Sequence, residues 1–394
     1  MTSFALVLAT TMPATAQESV APQGSALEAQ RANGLPLTSF YDPDGADLSV
    51  PGTLVRTEAG MGYDLPHGIV ATRIAYASRD ANGIPVMTTG VVLQPPGEAP
   101  EGGWPLIAWG HGTAGVARPC APSLMKDLYY GWDGIFIYPL MGYAVVATDY
   151  SGLGTPGPHQ LLSLEAQGQD VINSVPAARA AVPTLSDDWV MVGHSQGGAT
   201  AIQVSAMEHG IDDPTYLGAI SIAPATDYHA MWKLFPDGMA SGGMALVAAG
   251  IRAADPSFDP ETMVGPQIAE VLPELEQEAC FGAAMELVAS LPGARQPSNW
   301  PDAPGVRRFT DANRPYLQPG RGPLLVLLGE NDPAIPLDIT KRAIGERCKL
   351  QDEVSLETYP GMDHAQVIHA SFPRQLEWIA DRFAGRPAER NCPG

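Results

Sequence analysis

The chain is short of positive charge. Lys and Arg together number 22 in 394 residues, against 43 Asp and Glu, for a formal net charge of −21. Phosphate binding needs clustered cations, so nucleic acid is excluded as a partner, and an anionic membrane surface is disfavoured for the same reason. Cysteine is scarce too. Cys120, Cys280, Cys348 and Cys392 are the full set, and no two of them form a CxxC pair. Zinc and thiol-redox motifs are thereby excluded. No stretch reaches the roughly 18 uninterrupted apolar residues that a membrane span requires. No group of His, Asp and Glu has metal-ligand spacing, and no GxGxxG follows an apolar strand. Neither a metal nor a nucleotide cofactor is expected. The 42 Gly and 38 Pro come without an internal repeat or a low-complexity run, so they read as tight turns rather than disorder.

What is present is ordinary for a globular protein: 45% hydrophobic residues on a chain long enough for one large domain with insertions, or for two. The first residues are different. Phe4-Ala5-Leu6-Val7-Leu8-Ala9 is a short apolar run, and Ala14-Thr15-Ala16 fits a small-x-small cleavage site, although no Lys or Arg precedes the run. Residues 1–16 are therefore expected to be a secretory signal, and the protein to be secreted or periplasmic. In an exported chain an even cysteine count suggests two disulfides. The residues alone leave all three pairings of the four open.

Residues 17–60 are polar and punctuated by Pro and Gly, with little periodicity, and are expected to wrap the surface. From Ile69 to Leu93 the pattern is that of a β-hairpin, turning at Asp80-Ala81-Asn82-Gly83. Six apolar runs follow: Pro105–Trp109, Tyr143–Thr148, Trp189–Val192, Leu217–Ile222, Leu324–Leu328 and Val354–Tyr359. Runs of this kind suit parallel strands covered on both faces. Helical patterns lie between them, at Ser163–Ala181 and Gly198–Glu208, and one closes the chain at Ala365–Phe383. This alternation predicts an α/β fold with a doubly wound, mostly parallel sheet. Between the fourth and fifth runs, residues 223–322 are far too many for a simple crossover. They are expected to form an inserted, mostly helical cap, dividing the core into 17–222 and 323–394.

The strongest chemical signal is Val190-Met191-Val192-Gly193-His194-Ser195-Gln196-Gly197-Gly198. An apolar strand ends, a serine follows, and a helix begins. That is the setting of a nucleophile elbow, in which glycines at 193 and 197 remove side chains that would clash at the turn. A serine needs a base and an orienting acid, and in such a fold they follow it as acid, then His. His364, in Tyr359-Pro360-Gly361-Met362-Asp363-His364, falls in the loop after the last strand. His369 lies in the following helix and His209 at the wrong end of the helix after the serine. Asp332, in Gly329-Glu330-Asn331-Asp332-Pro333, follows the fifth strand, with Glu330 and Asp363 as rivals. The oxyanion needs backbone donors. Gln196 N–H is one. The other comes from Gly110-His111-Gly112-Thr113-Ala114-Gly115, where Thr113 is preferred and Gly112 is its rival. Thr148-Asp149-Tyr150-Ser151-Gly152-Leu153-Gly154, on the same edge, is read as support for that loop. His194 is read as packing.

Together, Trp109-Gly110-His111-Gly112-Thr113, Asp149–Gly154, Gly193–Gly198, Gly329–Asp332 and Gly361–His364 resemble the secretory lipase family, the lipase A-like α/β-hydrolases. The resemblance runs from about residue 40 to 385. It implies an α/β-hydrolase fold, esterase or lipase activity on carboxylic esters, a helical cap and no cofactor. It also suggests that Cys120 joins Cys280 in the cap and that Cys348 joins Cys392 in the tail. The triad residues by themselves leave open an acyltransferase or a peptidase and, since a scaffold can lose its chemistry, a binding protein.

Overall fold

The computed structural model describes residues 25–236, 238, 241–351 and 353–392 of the chain. The expected signal segment, residues 1–16, lies outside the described residues. Nine strands form one sheet: β1 (Leu54–Ala59), β2 (Val70–Arg79), β3 (Pro85–Gln94), β4 (Trp104–Gly110), β5 (Ala144–Thr148), β6 (Leu185–His194), β7 (Tyr216–Ile222), β8 (Leu324–Gly329) and β9 (Val354–Tyr359). They are ordered β1-β2-β3-β5-β4-β6-β7-β8-β9. The first three strands pair antiparallel, as does β3 with β5, and every later pairing is parallel.

The parallel strands are mainly apolar where both faces are covered; β6 carries the exposed Asp187 and Asp188 near its start, and the edge strand β9 carries Ser355, Glu357 and Thr358. Side chains alternate between faces, so one strand feeds two cores. Ile107, Trp109, Val190, Val192, Ile220 and Leu325 pack on one side, together with Val367, Trp378 and Ile379 of the helix Gln366–Phe383. Leu106, Ala108, Met191 and Val326 pack on the other, against Val171 of the helix Leu164–Ala181 and Ile202 of the helix Gln196–Ile211.

Two departures from the sequence reading lie near the N-terminus. Residues 17–60, expected to lack periodic structure, contain the helix Ala26–Asn33 and strand β1. β1 is a half-buried edge strand, so its Leu-Val-Arg-Thr-Glu-Ala sequence has no continuous apolar run to announce it. The helix is set by a capping box between Ser25 and Glu28 and buries no residue fully; its stability comes from tertiary contacts that local sequence does not encode.

Strand order also places the site. β4 lies between β5 and β6, so the chain leaves β4 in one direction and returns to its other side. Such a reversal opens a crevice at the carboxyl ends of the two central strands. Gly110 pairs with Gly193 there, and the loops after β4 and β6 emerge side by side.

Residues 223–322, between β7 and β8, are mainly helical: Tyr228–Trp232, Gly242–Ala254, Glu261–Val264, Pro266–Gln277, Phe281–Ser290 and Pro304–Ala312. Their apolar side chains, including Leu246, Ile251, Ile268, Leu272 and Ala284, join the hydrophobic cluster of the sheet face. The insertion is pinned to the loop after β4. Cys280 is bonded to Cys120, and Phe281 N–H donates to the Ala114 carbonyl at 2.8 Å. The helix Ala26–Asn33 adds a brace, with Gln30 Oε1 accepting from Cys280 N–H and Gln30 Nε2 donating to Glu278 O. The remaining pair is Cys348–Cys392.

Candidate active site

Ser195 stands between β6 and the helix Gln196–Ile211 with φ +57° and ψ −114°. A side chain in that region is strained, and such strain persists only where neighbours enforce it. Here the glycines do. A Cβ on Gly193 would run into the Gly197 carbonyl, and one on Gly197 into the Gly110 carbonyl. The backbone of the turn therefore lies flush against β4, and Ser195 is left partly exposed above the sheet edge.

Ser195 Oγ is 2.9 Å from His364 Nε2, and His364 Nδ1 is 2.7 Å from Asp332 Oδ2. The Asp332 side chain is 2% exposed, and its Oδ1 accepts the N–H groups of Ala334 and Ile335 at 2.8 and 2.9 Å. Two backbone donors thus fix the carboxylate while its second oxygen faces the imidazole. The rivals are engaged elsewhere. Glu330 accepts from Thr358 Oγ1, and Asp363 caps the last helix by accepting from Ala365 and Gln366 N–H. Of the other histidines, His209 is exposed at the far end of its helix, His229 pairs with Asp302, and His369 is half-exposed beside Asp133.

Gln196 is the first residue of the helix after the nucleophile, so its N–H has no intrahelical acceptor. The Gly112–Thr113 loop passes on the other side of Ser195. A Cβ on Gly112 would lie 3.4 Å from Ser195 Cβ and would meet the Tyr130 hydroxyl. The Thr113 carbonyl accepts from Tyr129 Oη. Below the loop, His111 is buried between the carbonyl oxygens of Gly112 (2.6 Å) and Asp149 (3.1 Å). Burial pushes its imidazole down to about 4, so at neutral pH the ring carries one N–H for these two acceptors. Asp149 is itself anchored, accepting from Ser123 N–H and Thr89 Oγ1.

Two residues gain a place that sequence reasoning did not give them. His194, read as packing, is hydrogen-bonded at both nitrogens: to Tyr130 Oη at 2.7 Å and to the His364 backbone oxygen at 2.8 Å. Tyr130 belongs to no motif, and no signal in its Leu-Tyr-Tyr-Gly setting marks it. No group of His, Cys, Asp and Glu able to hold a metal occurs among the described residues, and no described helix is long and apolar enough to cross a membrane.

The family model described as "Secretory lipase" matches residues 121–391. A Mycobacterium tuberculosis protein, named as a probable inactive lipase, is 22% identical over 380 residues, which cover 88% of this chain and 82% of that protein. The rice cell wall degrading esterase LipA of Xanthomonas oryzae superposes with a TM-score of 0.68 at 21% identity, over 85% of this chain and 98% of its own. Candida antarctica lipase A in its closed state superposes with a TM-score of 0.74 at 14% identity, over 91% and 89%. Fold, family match and a serine elbow at the switch point agree: the chain belongs to the secretory lipase family and is a carboxylic ester hydrolase with the α/β-hydrolase fold.

Proposed function

We propose that Ser195, His364 and Asp332 hydrolyse the ester through an acyl-enzyme, with Gln196 and Thr113 N–H as oxyanion donors. The observation that carries this reading is the unbroken hydrogen-bonded line from Ser195 Oγ through both His364 nitrogens to Asp332. Ser195 Oγ attacks the carbonyl carbon as His364 Nε2 takes its proton. The imidazolium that forms is stabilised by Asp332, which also holds Nδ1 protonated in the resting ring. Negative charge develops on the carbonyl oxygen at the helix N-terminus, where Gln196 N–H and the helix dipole favour it. His364 then returns the proton to the departing alcohol. A water, deprotonated by the same nitrogen, releases the acid and restores Ser195.

Residues 223–322 act as a cap whose inner surface selects the acyl group, on a core made of 17–222 and 323–394. The two disulfides are consistent with an extracellular protein, and residues 1–16 would direct export to the periplasm or medium. The test is Ser195→Ala, assayed on p-nitrophenyl butyrate with fluorophosphonate labelling alongside. Turnover should fall by about 10⁶, as in comparable triads. Substantial hydrolysis remaining in that variant, or no labelling of Ser195 in the wild type, would refute the assignment. A chain-length series of p-nitrophenyl esters then reports on the pocket under the cap.

A further inference from the structure

Behind the nucleophile runs a second hydrogen-bonded line that the chemistry above does not use. His194 Nε2 faces the His364 carbonyl oxygen at 2.8 Å. A carbonyl only accepts, so this nitrogen carries the proton of the neutral ring, and Nδ1 is a lone pair. The Tyr130 hydroxyl, 2.7 Å away, donates to it. Polarity is fixed along the line: Tyr130 Oη–H to His194 Nδ1, and His194 Nε2–H to the His364 carbonyl. Burial, with repulsion between the two imidazoles adding to it, pushes His194 down to about 3, so it stays neutral across the working range of an esterase.

The line joins three pieces of the site that leave the sheet from three different strands. His194 ends β6 and immediately precedes Ser195. His364 follows β9. Tyr130 presses its hydroxyl on Gly112 in the loop after β4, and its ring stands edge-on to Trp109 and His194 at 5.5 and 5.6 Å. The backbone leading to it is strained. Leu128 and Tyr129 have φ of +54° and +66°, a region that non-glycine residues occupy only under constraint. With that turn, Tyr129 reaches the Thr113 carbonyl and Tyr130 reaches His194.

We propose that Tyr130 and His194 are positioning residues that hold the His364 main chain and the Gly112–Thr113 loop in register on either side of Ser195. The proposal rests on the reading of Ser195 and His364 as nucleophile and base. Shape alone would not require it to be a histidine and a tyrosine; an apolar pair would fill the same volume without orienting the His364 peptide.

The test uses the full chain with Tyr130→Phe, His194→Leu and His194→Gln, and Ser195→Ala as reference. Each is assayed for kcat and KM on p-nitrophenyl butyrate and for thermal unfolding. His194→Leu should lower kcat about 100-fold at unchanged KM, the scale of a 1 Å misplacement of a reacting group. Tyr130→Phe, which keeps the ring and loses one hydrogen bond, should lower it about 10-fold. Glutamine presents an amide N–H to the His364 carbonyl and an oxygen to Tyr130, so His194→Gln should recover most of the leucine loss. Wild-type kcat in both His194→Leu and Tyr130→Phe, or a glutamine variant as impaired as the leucine one, would overturn the proposal. So would an effect confined to KM. Should His194→Leu fail to fold, Tyr130→Phe decides, since its packing is intact. Hydrolysis surviving in Ser195→Ala would instead sink the triad itself, whatever the other variants do.

Discussion

The sheet edge and the insertion of residues 223–322 share one hydrophobic core but attach their working parts differently. On the edge, every candidate reactive group stands just past a strand: Ser195 after β6, Asp332 after β8, His364 after β9 and the Gly112–Thr113 loop after β4. Neighbouring strands lock these ends through paired registers such as Gly110 with Gly193 and Gly329 with Tyr359. The insertion supplies none of these groups. It is tied to the loop after β4 by Cys120–Cys280 and the backbone bond from Phe281 to Ala114, braced by the helix Ala26–Asn33, and joined to the core elsewhere by bonds such as Leu164 N–H to Asn313 Oδ1 and Gln160 Nε2 to the Ala253 carbonyl. Chemistry built on strand ends keeps its geometry while the roof over it changes. Such an arrangement would let substrate preference vary without disturbing the proposed triad.

If this division holds, changes at the edge should remove turnover and spare the fold. Ser195→Ala is the extreme case. Asp332→Asn should follow, with kcat down by about 10⁴. The asparagine oxygen can still accept from Ala334 and Ile335 N–H, so the loop keeps its shape. Its amide, however, turns an N–H toward His364 and holds the imidazole in the wrong tautomer. Circular dichroism and thermal unfolding should match the wild type. A fall of kcat under tenfold would mean that another carboxylate orients His364.

The same division explains what could be read from the sequence. The buried stretches of the parallel strands are mostly apolar, so all six runs were visible, and each motif sat at the end of one. Asp332 and His364 were candidates because topology puts strand ends together, and the structure brings their side chains to 2.7 Å of one another. The half-buried β1 was not visible because it has no apolar run, and the helix Ala26–Asn33 offered only the Ser25–Glu28 capping box, with no buried apolar stripe behind it to mark a helix. Tyr130 was hidden for another reason. It acts from a turn with two left-handed residues, Leu128 and Tyr129, that no local propensity favours and that only tertiary packing sustains. His194 carried a signal, a buried histidine beside the nucleophile, but its partners come from residues 64 and 170 positions away.

Breaking the insertion's anchor should sharpen the comparison. Replacing both Cys120 and Cys280 by Ala opens a covalent loop with a sequence separation of 160. The chain-entropy cost is about 5 kcal/mol of stability. Activity should fall too, because Gly115 pairs with Cys280 two residues beyond Thr113. A drop in kcat on the order of 10-fold is expected, less than a full 1 Å displacement would cause. Turnover measured well below the lowered unfolding temperature separates the two effects; unchanged kcat would mean that the Gly112–Thr113 loop holds its shape without the insertion.

The smallest effect should come from the other disulfide. Cys348 lies just past the helix Leu337–Arg347, and Cys392 sits on the tail that runs beside the start of β9. There, Asn391 N–H donates to Val354 O, and Leu356 N–H donates to Asn391 O. These contacts are at the amino end of β9, the opposite end from His364. Removing the pair frees a loop with a sequence separation of 44, worth about 4 kcal/mol by chain entropy. The Asn391 bonds keep the tail in place, and residual order in the unfolded state lowers the cost further. Replacing both cysteines by Ala should therefore lower the unfolding temperature less than losing Cys120–Cys280 does, with kcat and KM unchanged. A loss of kcat here, without a change in melting, would show that the two ends of the sheet are coupled and that the catalytic edge is not held by its own registers alone.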